Sequence, residues 1–166
     1  MILFTEQEIQ TKVKQIASQL NQTHHSFPPV YICVLNGAFM FFADLVKHIE
    51  PCYIDFIKAK SYENNNQYEV NILTDISSNI SNKPVYLVDD IYDSGNTINH
   101  IIQHLLQYNP ISITPITLFK RHTSFRPDLI YGFELQDESF LVGYGLNAFD
   151  DTKRNLPYIE GQIFDD

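Results

Sequence analysis

Pro84-Val85-Tyr86-Leu87-Val88-Asp89-Asp90-Ile91-Tyr92-Asp93-Ser94-Gly95-Asn96-Thr97 is an apolar run that turns acidic and then small and polar. The uncharged stretch Val85–Val88 has the composition of a strand buried on both faces. Behind the polar turn, Ile98, Ile101, Ile102, Leu105 and Leu106 make one helical stripe, and Asn109-Pro110 stops it. A buried strand feeding an amphipathic helix is the repeating half of an α/β fold, and the pattern recurs outward from it. Upstream, Val30-Tyr31-Ile32-Cys33-Val34-Leu35 is a second continuous apolar run, interrupted by Asn36-Gly37-Ala38 and followed by helical character from Phe39 to Ile49. Ile54 to Ala59 predicts another strand, and Glu69 to Leu73 a short return strand. Ser61 to Gln67 between them is polar, carries three consecutive Asn and reads as a mobile loop. Downstream, Ile111 to Phe119 is β-branched, and shorter strands are expected around Leu129–Leu135 and Phe140–Gly143.

The chain opens on Thr5-Glu6-Gln7-Glu8, a capping box. Ile9, Val13, Ile16, Ala17 and Leu20 then share one face, so this helix packs on something larger. From Asn147 onward the tail is polar and irregular. Together these elements predict an α/β protein with a central, mostly parallel sheet flanked by helices. The expected organisation is one domain over residues 1–166, its core spanning roughly residues 28–146. The N-terminal segment and the C-terminal tail pack together as a small hood.

Twenty Asp and Glu against eleven Lys and Arg leave a net charge of −9 in 166 residues. A nucleic-acid binder needs a basic face to neutralise phosphates, so that class is disfavoured. A phosphorylated small molecule is not, because backbone amides and a divalent cation can hold it. Cys33 and Cys52 both lie in apolar surroundings, which argues against a disulfide framework and fits a reducing compartment. No basic-then-apolar leader is present, and no apolar run approaches the ~18 residues of a membrane span. The expectation is a cytoplasmic protein that uses neither membrane nor nucleic acid.

Ligands of open α/β sheets sit beyond the carboxyl ends of the strands. Asp89, Asp90 and Asp93 stand there, followed by a turn whose successive N–H groups open a helix, a geometry suited to a phosphate monoester. Asp in such a place most often caps a helix or decorates a turn. Capping uses one Asp and this segment supplies three, which repel one another unless a cation, hydroxyls or a proton compensates.

The stretch Val85–Thr97 resembles the phosphoribosyl-diphosphate-binding signature of the type I phosphoribosyltransferases. Further stretches resemble the hypoxanthine-guanine members: Leu35–Leu45 the diphosphate loop and its helix, Lys60-Ser61-Tyr62 the lid, and Leu118-Phe119-Lys120-Arg121 the purine-reading lysine segment. Phe140–Leu146 and Arg154–Ile159 resemble the base-stacking and C-terminal motifs. The likenesses run in family order over Val30–Ile159.

The resemblance implies a purine salvage enzyme that moves the 5-phosphoribosyl group from phosphoribosyl diphosphate to hypoxanthine or guanine, using Mg2+. It implies Asp93 as the catalytic base at purine N7, Asp89 and Asp90 on the ribose hydroxyls and the metal, and Ser94, Gly95, Asn96 and Thr97 on the 5-phosphate. Asn36, Gly37 and Arg154 would hold diphosphate, with a cis peptide between Leu35 and Asn36. Lys120 would donate to the 6-oxo group, Phe140 would stack on the base, and Leu141 and Asn147 would read its edge. Ser61 and Tyr62 would close over the site. The implied assembly is a homodimer or homotetramer.

Four positions depart from the family pattern. Asp89 stands where Glu is usual, Asn36 where a basic residue is frequent, and Asn147 where a metal-associated Asp is expected. Arg154 is displaced by one residue, leaving Lys153 as an alternative. Two other functions share the motifs: a non-catalytic regulator binding phosphoribosyl diphosphate or nucleotides, with or without RNA, and a transferase preferring xanthine. Retention of both Asp93 and Lys120 argues against the regulator, which needs neither a base nor an oxo-group donor. His100 and His104 have metal-ligand spacing, but no carboxylate accompanies them in the same turn and a solvated helix face explains them. Tyr92 replaces a more usual aliphatic residue and marks a packing or substrate-facing difference.

Overall fold

The computed structural model describes residues 1–64, 67–136 and 138–162. Its main sheet has six strands: β2 (Val30–Leu35), β3 (Tyr53–Asn64), β4 (Gln67–Thr74), β5 (Pro84–Tyr92), β6 (Ser112–Arg121) and β7 (Ile130–Leu135), in the order β4-β3-β2-β5-β6-β7. All neighbouring pairs are parallel except β3–β4. The uninterrupted apolar runs follow from double-sided burial. On β2, Tyr31 and Cys33 enter the core beneath helices α1 (Glu6–Asn21) and α2 (Phe39–Val46), while Val30, Ile32 and Val34 enter the core beneath α3 (Asn96–Leu106). On β5, Tyr86 and Val88 take the first side, Val85 and Leu87 the second.

A second sheet, in the order β1-β9-β8, pairs β1 (Ile2–Phe4), β9 (Ile159–Gln162) and β8 (Phe140–Val142) antiparallel. The expected hood of the two termini is therefore present, but its N-terminal contribution is only Ile2–Phe4. The capped helix α1 packs with the main sheet instead, burying Ile9, Val13, Ile16, Ala17 and Leu20. Its stripe is wide enough to need the larger surface. The predicted Thr5–Glu8 capping box is formed.

The polar stretch after Ala59 differs from its expected loop. Ser61–Asn64 extend β3 and pair through Asn64↔Gln67 with β4, while Asn65 and Asn66 lie outside the described residues. The ladder is made by backbone groups that every sequence carries, so a polar run does not prevent it. Among the described residues no helix is long and apolar enough to cross a membrane.

Candidate active site

At the carboxyl ends of β2 and β5 lies a cavity of about 390 Å3, lined by Gly37, by every residue from Asp89 to Ile98 and by the end of β2. A second cavity of about 250 Å3 adjoins it, lined by Arg121, Phe140, Leu141 and Asn147 among others. Ile91 and Asp93 belong to both linings, so Asp93 stands at the junction.

The first cavity holds three carboxylates and no Lys or Arg in its lining. Asp89 is 8% exposed. Burial raises its proton affinity well above that of an ordinary carboxylic acid, and the neighbouring Asp90 charge adds to the effect. Asp90 shifts the same way, again chiefly through burial, while the Ile91 amide and, more weakly, the Arg154 charge pull against it. The Asp90 side chain lies directly on the Gly37 backbone, where a Cβ would collide with its carboxylate. The predicted cis peptide is found at Leu35–Asn36.

None of the three Asp caps α3. The residue at its N-cap is Gly95, in the left-handed region at φ 81°, and no side chain caps the helix. Gly95 tolerates that φ without a Cβ penalty, so the turn folds around its own amides, and Asn96 N–H donates to Ser94 Oγ at 3.3 Å. This helix N-terminus is oriented to receive an anion.

On the hood side, Gly145 (φ 100°) packs so tightly on the Gly37 carbonyl that a Cβ would collide with it. Arg154 donates from Nη1 to Gly145 O at 2.8 Å, whereas Lys153 turns to Glu160 at 3.0 Å. Of the two candidate cations, Arg154 is the one brought beside Gly37 and Asp90. No sequence rule pointed to Gly145, because its need for positive φ comes from a partner 108 residues away.

At the base end the expected residues are only partly assembled. Phe140 and Leu141 line the second cavity, and among the described residues β8 pairs with β9. The Phe140 ring stacks on Phe149, centroids 4.5 Å apart and planes 17° apart. Lys120 does not line this cavity. Its ammonium, 3.3 Å from Glu134 Oε2, lies over the Tyr131 ring. Glu134 also meets His122 at 2.5 Å, and the His122 contact first, then Lys120, hold its carboxyl down to about 2. The neighbouring Arg121 faces the cavity, with Nη2 donating to Ser139 O at 3.0 Å.

Asn147 lies in the base-side cavity rather than with Asp89 and Asp90, and its amide donates to Asp151 at 2.6 Å. Ser61 and Tyr62 are exposed on β3 and line neither cavity, with the Lys60 ammonium 5.1 Å from the Tyr62 ring centroid. His104 bonds Asp75 at 2.9 Å, and Tyr108 donates to the same oxygen at 2.6 Å. The histidine spacing thus ties α3 to the segment after β4. Among the described residues no cluster of three or more His, Cys, Asp or Glu is placed to hold a metal.

Residues 2–148 match the phosphoribosyl transferase domain family. The chain is 35% identical over 164 residues to the hypoxanthine-guanine phosphoribosyltransferase of Bacillus subtilis (strain 168), covering 95% of this chain and 90% of that one. The chain belongs to the hypoxanthine-guanine phosphoribosyltransferase family. The crystal structure of a Bacillus anthracis member with a HEPES molecule in its active site superposes with a TM-score of 0.90 at 35% identity, covering 98% of each chain. A hypoxanthine-guanine-xanthine phosphoribosyltransferase superposes with a TM-score of 0.83 at 30% identity, covering 96% of this chain and 94% of that one. The fold is the type I phosphoribosyltransferase fold.

Proposed function

We propose that this protein transfers the 5-phosphoribosyl group from phosphoribosyl diphosphate to N9 of hypoxanthine or guanine, releasing diphosphate, in purine salvage. The observation that carries this reading is the shared wall at Asp93, which separates an amide-lined acidic cavity from an aromatic one. A sugar phosphate seated on the Ser94–Thr97 turn presents C1 toward that wall. A purine against Phe140 presents its imidazole edge from the other side. The C1–O bond to diphosphate breaks, the bond from N9 to C1 forms, and Asp93 accepts the proton that leaves purine N7. Asp89 and Asp90 accept from the ribose hydroxyls, and Arg154 with the Gly37 backbone holds the departing diphosphate. Lys120 donates to the 6-oxo group on exchanging its Glu134 partner. Leu141 and Asn147 read the base edge, and Ser61 and Tyr62 close over the reacting atoms to exclude water.

Mg2+ fits this site on the chemistry of its donors. Asp89 and Asp90 are hard, adjacent and uncompensated by any cationic lining residue, and Mg2+ is commonly held by one or two carboxylates plus substrate phosphates and water. When bound it neutralises charge on the diphosphate. Asn147 is too differently placed to complete that pair. The two cysteines are free, which suits a cytoplasmic setting. Ile54, Phe56 and Leu73, each about half exposed on β3 and β4, suit self-association as a homodimer or homotetramer.

A turnover assay with hypoxanthine, guanine, xanthine and adenine, each with phosphoribosyl diphosphate and Mg2+, tests the reading. The expected result is activity on hypoxanthine or guanine, little on adenine, and none in chelator. Preference for xanthine would favour the specificity named for the relative of TM-score 0.83. Binding of phosphoribosyl diphosphate without turnover on any base would favour a regulator.

A further inference from the structure

The anion-binding turn is gripped from behind by a segment that no motif marks. Tyr92, the residue that departs from the aliphatic pattern, is 5% exposed and passes beneath Gly95. A Cβ built on Gly95 would lie 2.5 Å from the Tyr92 hydroxyl and 3.3 Å from the Asn99 amide nitrogen. Asn99 closes the first turn of α3, its backbone N–H donating to Gly95 O at 2.8 Å. Its side-chain Oδ1 in turn accepts from Arg126 Nη1 at 2.5 Å.

Arg126 lies in the connection between β6 and β7. Its Nε and Nη2 clasp the Asp128 carboxylate at 2.7 and 3.1 Å, a planar two-bond pairing that fixes where Nη1 points. Asp128 first, and the Tyr92 phenol as well, hold the guanidinium proton more firmly than usual. Two residues earlier in the same connection, the Ser124 hydroxyl donates to the Asp93 carbonyl oxygen. One short connection therefore holds the Asp93–Asn99 turn at both ends, Ser124 at its start and Arg126 at its close.

We propose that Ser124 and Arg126 are positioning residues that clamp this turn from outside the cavity, holding the amides of residues 94–97 in the conformation that receives the 5-phosphate. The assignment rests on the phosphoribosyl reading of the first cavity. Its physical basis is that the cavity lining offers no cationic side chain, so affinity for the phosphate depends on amides already aligned. A turn around a glycine at φ 81° has other conformations open to it, and a rigid strut removes them. The clamp acts through geometry rather than net charge, since Asp128 neutralises Arg126.

The test is calorimetric titration of the whole protein with ribose 5-phosphate, beside steady-state kinetics. Arg126→Ala and Asn99→Ala are each expected to weaken ribose 5-phosphate about tenfold. KM for phosphoribosyl diphosphate rises in step, KM for the base stays within about twofold, and the loss appears in KM rather than kcat. The double variant loses no more than either alone, as expected of one shared contact. Arg126→Lys keeps the charge but not the planar pairing and should not restore binding. Ser124→Ala, the mildest change, weakens ribose 5-phosphate by about threefold and serves where Arg126→Ala fails to fold.

Unchanged ribose 5-phosphate affinity in folded Arg126→Ala, full rescue by lysine, or equal rises in both KM values would overturn the clamp. Weaker ribose 5-phosphate binding in a protein that turns over no base would leave the clamp standing and remove the proposed reaction. Normal turnover with unaltered binding in the variants would do the reverse.

Discussion

The two ends of the cleft are built on different plans. The sugar-phosphate end comes mostly from ten consecutive residues, Asp89 to Ile98, shaped by a strand end, a left-handed glycine and a helix start. The base end draws Ile91 from β5 and Asp93 from the turn after it, Arg121 from β6, Phe140 and Leu141 from β8, and Leu146 and Asn147 from the loop beyond. At the first end the backbone is the ligand surface, and few side chains can be exchanged without changing the turn itself. At the second, side chains from separate elements come together, and the residues proposed to meet the base already have partners: Phe140 with Phe149, Lys120 with Glu134, Asn147 with Asp151. On the proposed reading, the contiguous anion site is set before a ligand arrives, whereas the dispersed one exchanges contacts to receive it.

The sharpest way to break this contrast is at the wall between the two ends. Asp93→Asn keeps the shape and removes the proton acceptor, so kcat should fall by about 10²–10⁴-fold, the usual scale for a general base. KM for phosphoribosyl diphosphate should stay within about threefold. Steady-state kinetics check both, and an active variant would deny Asp93 its role.

A smaller effect probes whether the base end must exchange its contacts. Lys120→Ala should raise KM for hypoxanthine about tenfold, the scale of one charge-assisted hydrogen bond. It should also erode the preference over adenine. Glu134→Gln removes only the resting partner, and KM for the base should change by no more than about threefold. If Lys120→Ala leaves discrimination intact, the oxo group is read elsewhere, and Arg121, already facing that cavity, becomes the donor to examine.

The smallest effect separates binding from stability at the acidic end. Burial raises the proton affinities of Asp89 and Asp90 in the folded chain above their unfolded values. The native state therefore binds more protons than the unfolded one between those limits, and this pair costs stability as pH rises through the window. Asp90→Asn should raise the melting temperature of the ligand-free protein at neutral pH by a few degrees, about 2–4 °C per kcal/mol recovered. The gain should shrink as pH falls toward the ordinary carboxylate range. A melting series from pH 4 to pH 8 decides it, and a gain independent of pH would mean that the carboxylate pair carries no such cost.

Much of the fold was legible because its signals are local. Double-sided burial wrote itself as continuous apolar runs at Val30–Leu35 and Val85–Val88, and the α1 and α3 stripes have the helical period. The extension of β3 through Ser61–Asn64 was hidden, since the pairing is made by backbone groups and needs no apolar alternation. Arg126 and Ser124 left no trace either, because their importance comes from what they touch across the sheet rather than from their neighbours in sequence. The spacing of His100 and His104 suggested metal ligation or plain solvation, and the structure gave His104 a third role on Asp75.

Residue order alone thus determined the strand-turn-helix at the end of β5, the cluster of carboxylates within it and the alternation of buried strands with amphipathic helices. These depend on torsion preferences and on hydrophobic period, which act within a dozen residues. Tertiary structure alone decided that Arg154 rather than Lys153 reaches the Gly37 loop, that Arg121 faces the base cavity while Lys120 rests on Glu134, and that the termini close as a three-stranded hood. Those choices turn on close packing and charge pairing between segments far apart in the chain, and such contacts exist only once the sheet has brought the segments together.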